Sequence, residues 1–102
     1  MEPFDENLNK LIVFPEGGIN SKVLAKSDNF NHTLMCIAKG ADIDTHTSTK
    51  NGGVYVIKGN GTFKLFDKEI KMEPGTYIFM PANAPHSLKA ETDLAMLLCL
   101  SD

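Results

Sequence analysis

Arginine and tryptophan are both missing from this chain of 102 residues, and all ten basic residues are lysine. Because arginine makes most bidentate contacts to phosphate and guanine, its absence weakens any nucleic-acid hypothesis. The lysines are scattered, with no basic stripe that could track a phosphate backbone, and the net charge is −3. The sequence therefore predicts a protein that does not bind DNA or RNA.

Long hydrophobic runs are missing as well. The longest strongly apolar stretch, Leu94–Leu100, is far shorter than the roughly 20 residues that a membrane-spanning helix needs. The first residues, Met1–Glu6, are acidic and lack the basic start and apolar core of a signal peptide. We therefore expect a cytoplasmic protein that does not associate with membranes.

Cysteine is scarce. Cys36 and Cys99 lie far apart in the chain and form no CxxC pair. In a reducing cytosol such cysteines are expected to be buried thiols that act as small apolar side chains. A metal or redox role for either one is the alternative.

Short apolar runs closed by Gly, Asn, Asp or Pro recur along the chain, and this pattern is typical of an all-β domain. No segment keeps a 3.6-residue period, so helices should be absent or short. Strands are expected at Lys10–Phe14, Ser21–Ser27, Asn31–Ala38, Ile43–Ser48, Gly53–Lys58, Thr62–Phe66, Lys68–Lys71, Thr76–Met80, His86–Ala90 and Asp93–Leu100. Many short strands in a chain of one domain's length predict a sandwich or a small barrel.

Three turns between these strands carry specific turn chemistry. Gly59-Asn60-Gly61 contains residues that accept positive φ and predicts a tight hairpin. Asp67-Lys68 predicts a second hairpin with a weaker signal, and Pro74-Gly75 fits the centre of a type II turn.

Two of the expected strands, Asn31–Ala38 and Asp93–Leu100, are apolar on both faces. A sheet with one solvated face would alternate polar and apolar residues, so something must cover the second face. One candidate is the N-terminal segment Leu8–Phe14, and the other is a second subunit. We favour the second subunit and expect a homodimer.

The residues that bear chemistry lie in two segments. The first reads GADIDTHTSTKNGGVYVIKG from Gly40 to Gly59, and the second reads GTYIFMPANAPHSLKA from Gly75 to Ala90. Together they resemble the two motifs of the cupin superfamily, G(X)5HXH(X)3–4E(X)6G and G(X)5PXG(X)2H(X)3N. The matching positions are Gly40, His46, Gly59, Gly75, Pro81 and His86.

This resemblance, closest to small single-domain cupins of the type-2 conserved-barrel kind, implies an antiparallel jelly-roll β-barrel of six strands with a pocket inside. Residues 31–102 would form the barrel. Residues 1–30 would form N-terminal strands or an arm that packs on the barrel or on a partner subunit.

The first motif is degenerate. Cupins with a full site bind a divalent metal through two His and one Glu of the first motif and the His of the second. Only His46 and His86 can be carried over as ligands of a divalent transition metal such as Zn, Fe, Mn or Ni. The departures are Ser48 for the second His, Gly52 for the Glu, Asn83 for a Gly and Ala90 for the closing Asn.

The chemistry of the candidate ligand atoms also indicates a weak metal site. His46 and Ser48 are two apart on a strand and share a face, but a neutral hydroxyl is a poor ligand for these metals. Two imidazoles alone hold a metal weakly, since catalytic sites usually supply three protein ligands. Asp44 has the same strand parity and would complete a 2-His-1-carboxylate set; the alternative is a solvated residue at the strand entry.

Around these histidines the sequence predicts a pocket that would suit a small organic ligand. His32 shares the strand parity of Cys36 and joins the pocket if that face points inward; otherwise it is an edge or surface residue. The pocket residues expected beside His46 and His86 are Ser48, Tyr55, His32, Cys36 and Phe79.

The favoured hypothesis is a cupin barrel that binds a small molecule and, weakly, a divalent metal. One alternative is a metal-dependent dioxygenase or isomerase that uses His46 and His86. The other is a non-catalytic dimeric scaffold or regulatory subunit. The pattern assigns no catalytic residue, and the fold class by itself does not choose between these functions.

Overall fold

A computed structural model describes all 102 residues and contains one short helix and nine strands. The helix is α1 (Leu8–Leu11). The strands are β1 (Ile19–Lys26), β2 (Phe30–Ile37), β3 (Asp42–His46), β4 (Asn51–Lys58), β5 (Gly61–Leu65), β6 (Lys68–Met72), β7 (Tyr77–Met80), β8 (His86–Ala90) and β9 (Leu94–Ser101). The all-β prediction is confirmed.

Two antiparallel sheets make up the fold. The first has five strands in the order β1-β2-β9-β4-β7, and the second has four in the order β3-β8-β5-β6. The two sheets enclose the main core. Its twelve buried residues are Ile37, Val54, Val56, Phe63, Met72, Ile78, Met80, Ala84, Leu88, Ala90, Leu94 and Met96.

The strand expected at Lys10–Phe14 is absent. The chain ends α1 (Leu8–Leu11) at the start of this segment instead, and residues 12–14 lie in neither helix nor strand. The side-chain oxygen of Asn7 caps α1 by accepting a hydrogen bond from the Asn9 amide at 3.0 Å. This cap satisfies a backbone donor that a helix start leaves without a partner. One turn of helix is too short to show a 3.6-residue period, which explains the wrong prediction.

The hairpin expected at Gly59-Asn60-Gly61 is also absent, because β4 and β5 belong to different sheets. The segment crosses between the sheets and packs on the turn before β9. Gly59 has a φ of +89°, and a Cβ there would lie 1.9 Å from the carbonyl oxygen of Asp93. Glycine is therefore required by close backbone approach as well as by its φ.

The second predicted hairpin is present between β5 and β6. Leu65 pairs with Lys68, so its two-residue tip is Phe66-Asp67, one position earlier than the sequence indicates. Phe66 has a φ of +53°, which is unusual for a bulky residue.

The outer face of the five-stranded sheet is covered along one part by the chain itself. Leu34, Cys36 and Ala95 are buried there. The covering side chains, which include Leu11, Ile12 and Phe14, come largely from the N-terminal segment. The N-terminal segment, the first of the two covers expected from the sequence, therefore packs on this face. No helix of the structure is both long enough and apolar enough to cross a lipid bilayer.

Candidate functional site

The two motif histidines meet on the four-stranded sheet. His46 ends β3 and His86 begins β8, and the two residues are antiparallel partners. Their ring centroids are 4.2 Å apart, with an angle of 59° between the ring planes. The register of β3 shifts between Ile43 and His46, so the strand pairing is irregular just before the histidine. The sequence separates these residues widely, and the sheet brings them into contact.

Both imidazoles are oriented in the same way by the backbone. Nδ1 of His46 lies 2.9 Å from the carbonyl oxygen of Asp44, and Nδ1 of His86 lies 2.9 Å from that of Ala84. A carbonyl oxygen only accepts hydrogen bonds, so Nδ1 carries the proton in each ring. In the neutral rings this leaves Nε2 of both histidines as a free acceptor or metal ligand.

The two histidines differ in their surroundings. His86 is 8% exposed, and its ring lies parallel to that of Phe63, with 5.8 Å between centroids and 6° between planes. Phe63 belongs to the main core. His46 is exposed. The pair therefore has one imidazole fixed against the core and one at the surface.

The two other ligand positions of the first motif offer no substitute donor of comparable strength. Ser48 uses its hydroxyl oxygen to accept a hydrogen bond from the Lys50 amide at 3.1 Å. At Gly52, a Cβ would lie 2.6 Å from the terminal methyl carbon of Met80. A glutamate at position 52 would therefore require Met80 to move.

Asp44 approaches His46 through its backbone carbonyl, and its side chain is exposed. No group of three or more His, Cys, Asp or Glu side chains is arranged to hold a metal ion. The donors present are thus two imidazoles, which do not fit the three- or four-ligand site of a full metal centre.

Two of the predicted pocket residues, Tyr55 and Phe79, lie away from the histidines, on the outer face of the five-stranded sheet. Their strand neighbours Val54 and Ile78 point into the core, so alternation turns both rings outward. Tyr55 is 47% exposed and Phe79 is 54% exposed. The prediction that Tyr55 and Phe79 line a pocket with the histidines is therefore corrected.

Both rings instead line a shallow groove of about 210 Å³, which we call the aromatic groove. Its residues are Asn51, Gly52, Gly53, Tyr55, Tyr77, Phe79, Leu97, Cys99 and Ser101. Burial raises the pKa of the Cys99 thiol, which favours its protonated form. The aromatic groove carries no charged side chain.

His32 and Cys36 also lie outside the expected pocket. Cys36 is buried beneath the N-terminal segment, and His32 shares its strand parity. The ring of His32 packs against Phe30, with centroids 4.9 Å apart. His32 therefore lies on the outer face, which is the alternative stated for it. The prediction that His32 and Cys36 line the pocket is corrected.

A depression that the sequence did not predict reaches His86. It has a volume of about 380 Å³, and we call it the His86 depression. Its lining residues are Thr45, Lys64, Phe66, Asp67, Pro85, His86 and Ser87. Lys64 and Ser87 are cross-strand partners, a register that the sequence alone does not reveal. The one local signal is a phenylalanine at a hairpin tip, where Gly, Asn or Asp is usual.

The family follows from a comparison with protein-family models. Residues 33–101 match the Cupin_2 family, described as a cupin domain. The chain belongs to the cupin family. The resemblance drawn from the two motifs is therefore confirmed, and so is the cupin fold.

Solved structures show the same fold. A conserved protein of unknown function from Streptococcus pyogenes is 22% identical to this cupin, with a TM-score of 0.89, covering 100% of this chain and 90% of that one. A cupin 2 conserved barrel domain protein from Leptotrichia buccalis is 34% identical, with a TM-score of 0.88, covering 95% of this chain and 47% of that one.

Some structural neighbours are enzymes. Salicylate 1,2-dioxygenase from Pseudoaminobacter salicylatoxidans is 18% identical to this cupin, with a TM-score of 0.77, covering 82% of this chain and 26% of that one. At this identity the likeness concerns the fold alone, because one fold carries many unrelated activities.

Proposed function

We propose that this cupin binds a small organic molecule through Nε2 of His46 and His86 and holds a divalent metal only weakly. The observation that supports this proposal is the pair of adjacent imidazoles, each oriented through Nδ1 by a backbone carbonyl. Two acceptors fixed in orientation lose little conformational freedom when a ligand binds, which favours affinity.

Weak metal binding is proposed from the donor set. Ser48 and Gly52 stand where the family has an imidazole and a carboxylate, and Met80 fills the space next to Gly52. With two protein ligands, water would have to complete the coordination of Zn, Fe, Mn or Ni. The metal-dependent enzyme is the competing function, since it needs a stably held ion with an open position.

Elemental mass spectrometry of the untagged protein tests this choice. We expect well under one divalent metal per chain in the wild type, and still less in His46→Ala and His86→Ala. His32→Ala is the matched control, because His32 lies on the outer face of the other sheet. Near-stoichiometric metal that is lost in both motif variants but kept in the control would overturn the proposal and favour the enzyme.

A variant that adds a ligand tests whether the missing donors are the reason for weak metal binding. Ser48→His restores the second imidazole of the family motif, so the site would have three nitrogen donors. We expect this variant to retain more zinc than the wild type after identical dialysis. An unchanged zinc content would mean that missing ligands are not what limits metal affinity here.

The organic ligand is tested by a fragment screen on the 15N-labelled protein, with metal removed. We expect hits that shift the amide signals of β3 and β8 and that disappear in both motif variants but persist in His32→Ala. If every hit survives both substitutions, the histidines are not the binding groups. A non-catalytic scaffold would then be the better explanation.

For the predicted homodimer we propose the aromatic groove as the contact surface between two copies. An isologous interface brings the same surface patch of two copies together, residue i against residue j and j against i, so a patch without charged side chains pairs with itself without burying a charge. The groove is uncharged and carries the exposed rings of Tyr55, Tyr77 and Phe79. An uncharged apolar surface can therefore pair with itself, and a charged partner would find no ionic contact on it.

Light scattering at micromolar concentration checks the dimer. We expect the wild type to be dimeric and Phe79→Lys to be monomeric. Val13→Lys, which places the same charge on a different exposed apolar residue, should remain dimeric. A monomeric wild type, or a Phe79→Lys variant that stays dimeric, would remove this interface.

A further inference from the structure

The N-terminal segment that covers part of the five-stranded sheet is itself only loosely covered. We call residues 8–14 the strap. None of its residues is buried, although three of its side chains pack on the sheet: Leu11, Ile12 and Phe14. The residues beneath are closely covered, since Leu34 is 1% exposed and Cys36 is 3% exposed. The strap therefore hides an apolar surface without being enclosed by the rest of the protein.

Hydrogen bonds contribute little to the attachment of the strap. Only one joins it to the remainder of the chain, where Nδ2 of Asn20 donates to the carbonyl oxygen of Val13 at 3.3 Å. Neither ion pair of the protein involves a strap residue. A segment with few buried contacts and few hydrogen bonds to its surroundings belongs to the least stable part of a fold.

The strap is not sealed along its side. A cleft of about 350 Å³ lies between the strap and strands β1 and β2. Its lining residues are Leu11, Val13, Asn20, Ser21, Lys22, Leu34 and Cys36. Side chains that face a cleft lack contacts on one side, so they hold the strap less firmly than close packing would.

The connection between the strap and β1 contains two adjacent glycines. A Cβ at Gly17 or at Gly18 would meet no heavy atom within 4 Å. Glycine restricts the backbone less than any other residue, and nothing packs against this pair. These two residues therefore provide a pivot at the base of the strap.

The surface beneath the strap continues into the aromatic groove. Alternate residues of β9 point to the same face: Ala95 lies under the strap, whereas Leu97 and Cys99 line the groove. The strap therefore covers one part of a continuous apolar surface and determines how much of it is exposed.

We propose that the strap opens as a unit, pivoting at Gly17 and Gly18, while the barrel stays folded. Opening breaks one hydrogen bond, uncovers Cys36 and extends the exposed apolar surface of the aromatic groove. Because the side chains of the strap are only partly buried, opening costs less free energy than unfolding the barrel. This conformational change does not involve the histidines and goes beyond the proposed function.

The thiol of Cys36 reports on the strap, because the closed strap covers it and the open strap does not. Alkylation by iodoacetamide, quantified for each cysteine by peptide mass spectrometry, measures the open fraction of the full chain. We expect Cys36 to react about a hundredfold to ten-thousandfold more slowly than in a peptide of residues 33–39. A reaction as fast as in the peptide would mean that the strap does not cover the thiol, and the proposal would fail.

The dependence of this rate on urea separates strap opening from unfolding. Opening exposes little surface, so below the unfolding transition the rate should rise only slightly with urea. A rise as steep as that of global unfolding would mean that Cys36 is exposed only when the barrel unfolds, and it would overturn the proposal. A rate that falls as protein concentration increases would also overturn it, because a second subunit would then control access to the thiol.

A matched pair of variants tests whether packing holds the strap. Phe14→Ala removes apolar contact with the sheet, so alkylation of Cys36 should become about tenfold faster. Val13→Ala is the control, since Val13 lies on the same strap but is 65% exposed, and it should leave the rate unchanged. Equal rates in the two variants would show that the strap is not held by these contacts.

Gly17→Ala tests the pivot in the opposite direction. Gly17 has space for a methyl group and does not have a positive φ, so alanine fits the closed strap and restricts the open one. Alkylation of Cys36 should become about two- to fivefold slower. An unchanged or faster rate would mean that the chain does not pivot at this residue.

Discussion

His46 and His86 occupy equivalent places in the two cupin motifs, yet their environments differ sharply. Each ring is oriented through Nδ1 by the carbonyl two residues earlier in the chain. His86 is buried against Phe63, whereas His46 is exposed at the end of β3. Motif position and hydrogen bonding are the same in the two residues, and packing is not.

This difference distinguishes a role in stability from a role in ligand binding, and a motif match alone does not tell the two apart. A buried imidazole contributes to stability because it packs and satisfies a backbone acceptor. An exposed imidazole with the same hydrogen bond contributes little to stability, since water replaces that bond at small cost. We therefore expect His86 to serve both the fold and the site, and His46 to serve the site alone.

The largest expected effect comes from removing the support of His86. Phe63→Ala deletes a ring that is 1% exposed and belongs to the main core, so it leaves a cavity beneath the histidine. We expect the free energy of unfolding to fall by about 3–5 kcal/mol, as for other buried aromatic residues. Urea denaturation measures this. A loss below about 1 kcal/mol would mean that the ring does not anchor the site.

His86→Ala should have the next largest effect. It removes the contact with Phe63 and leaves the carbonyl of Ala84 without its donor, at a cost of about 1–3 kcal/mol. His86→Phe is the matched variant, because it keeps a ring against Phe63 but has no donor. If the two variants are equally destabilised, packing contributes nothing and the hydrogen bond accounts for the whole effect.

Much of the fold could be predicted because strand patterns are local. The strand His86–Ala90 was predicted with its observed bounds, since proline precedes it and its buried residues alternate. The segment after β4 was predicted wrongly for the opposite reason. Gly59-Asn60-Gly61 has the chemistry of a tight turn, but turn chemistry does not say which sheet the next strand joins.

The candidate site could be predicted only in part. Motif spacing found His46 and His86, and the structure brings their rings together. The prediction that Tyr55 lines the pocket is wrong because the sequence of a strand that is apolar on both faces does not indicate which face points into the core. The His86 depression was not predicted, because it depends on the register between β5 and β8 that sets Lys64 beside Ser87, and this register is a property of the tertiary structure.

The smallest expected effect completes the comparison. His46→Ala removes an exposed ring, so the free energy of unfolding should change by no more than about 0.5 kcal/mol. Its ring contacts His86, and a double-mutant cycle with His86→Ala measures the coupling free energy of that contact. We expect a coupling energy below about 0.5 kcal/mol, because one partner is solvated. A cost for His46→Ala equal to that of His86→Ala would show that burial does not distinguish these two residues, and the division of roles would fail.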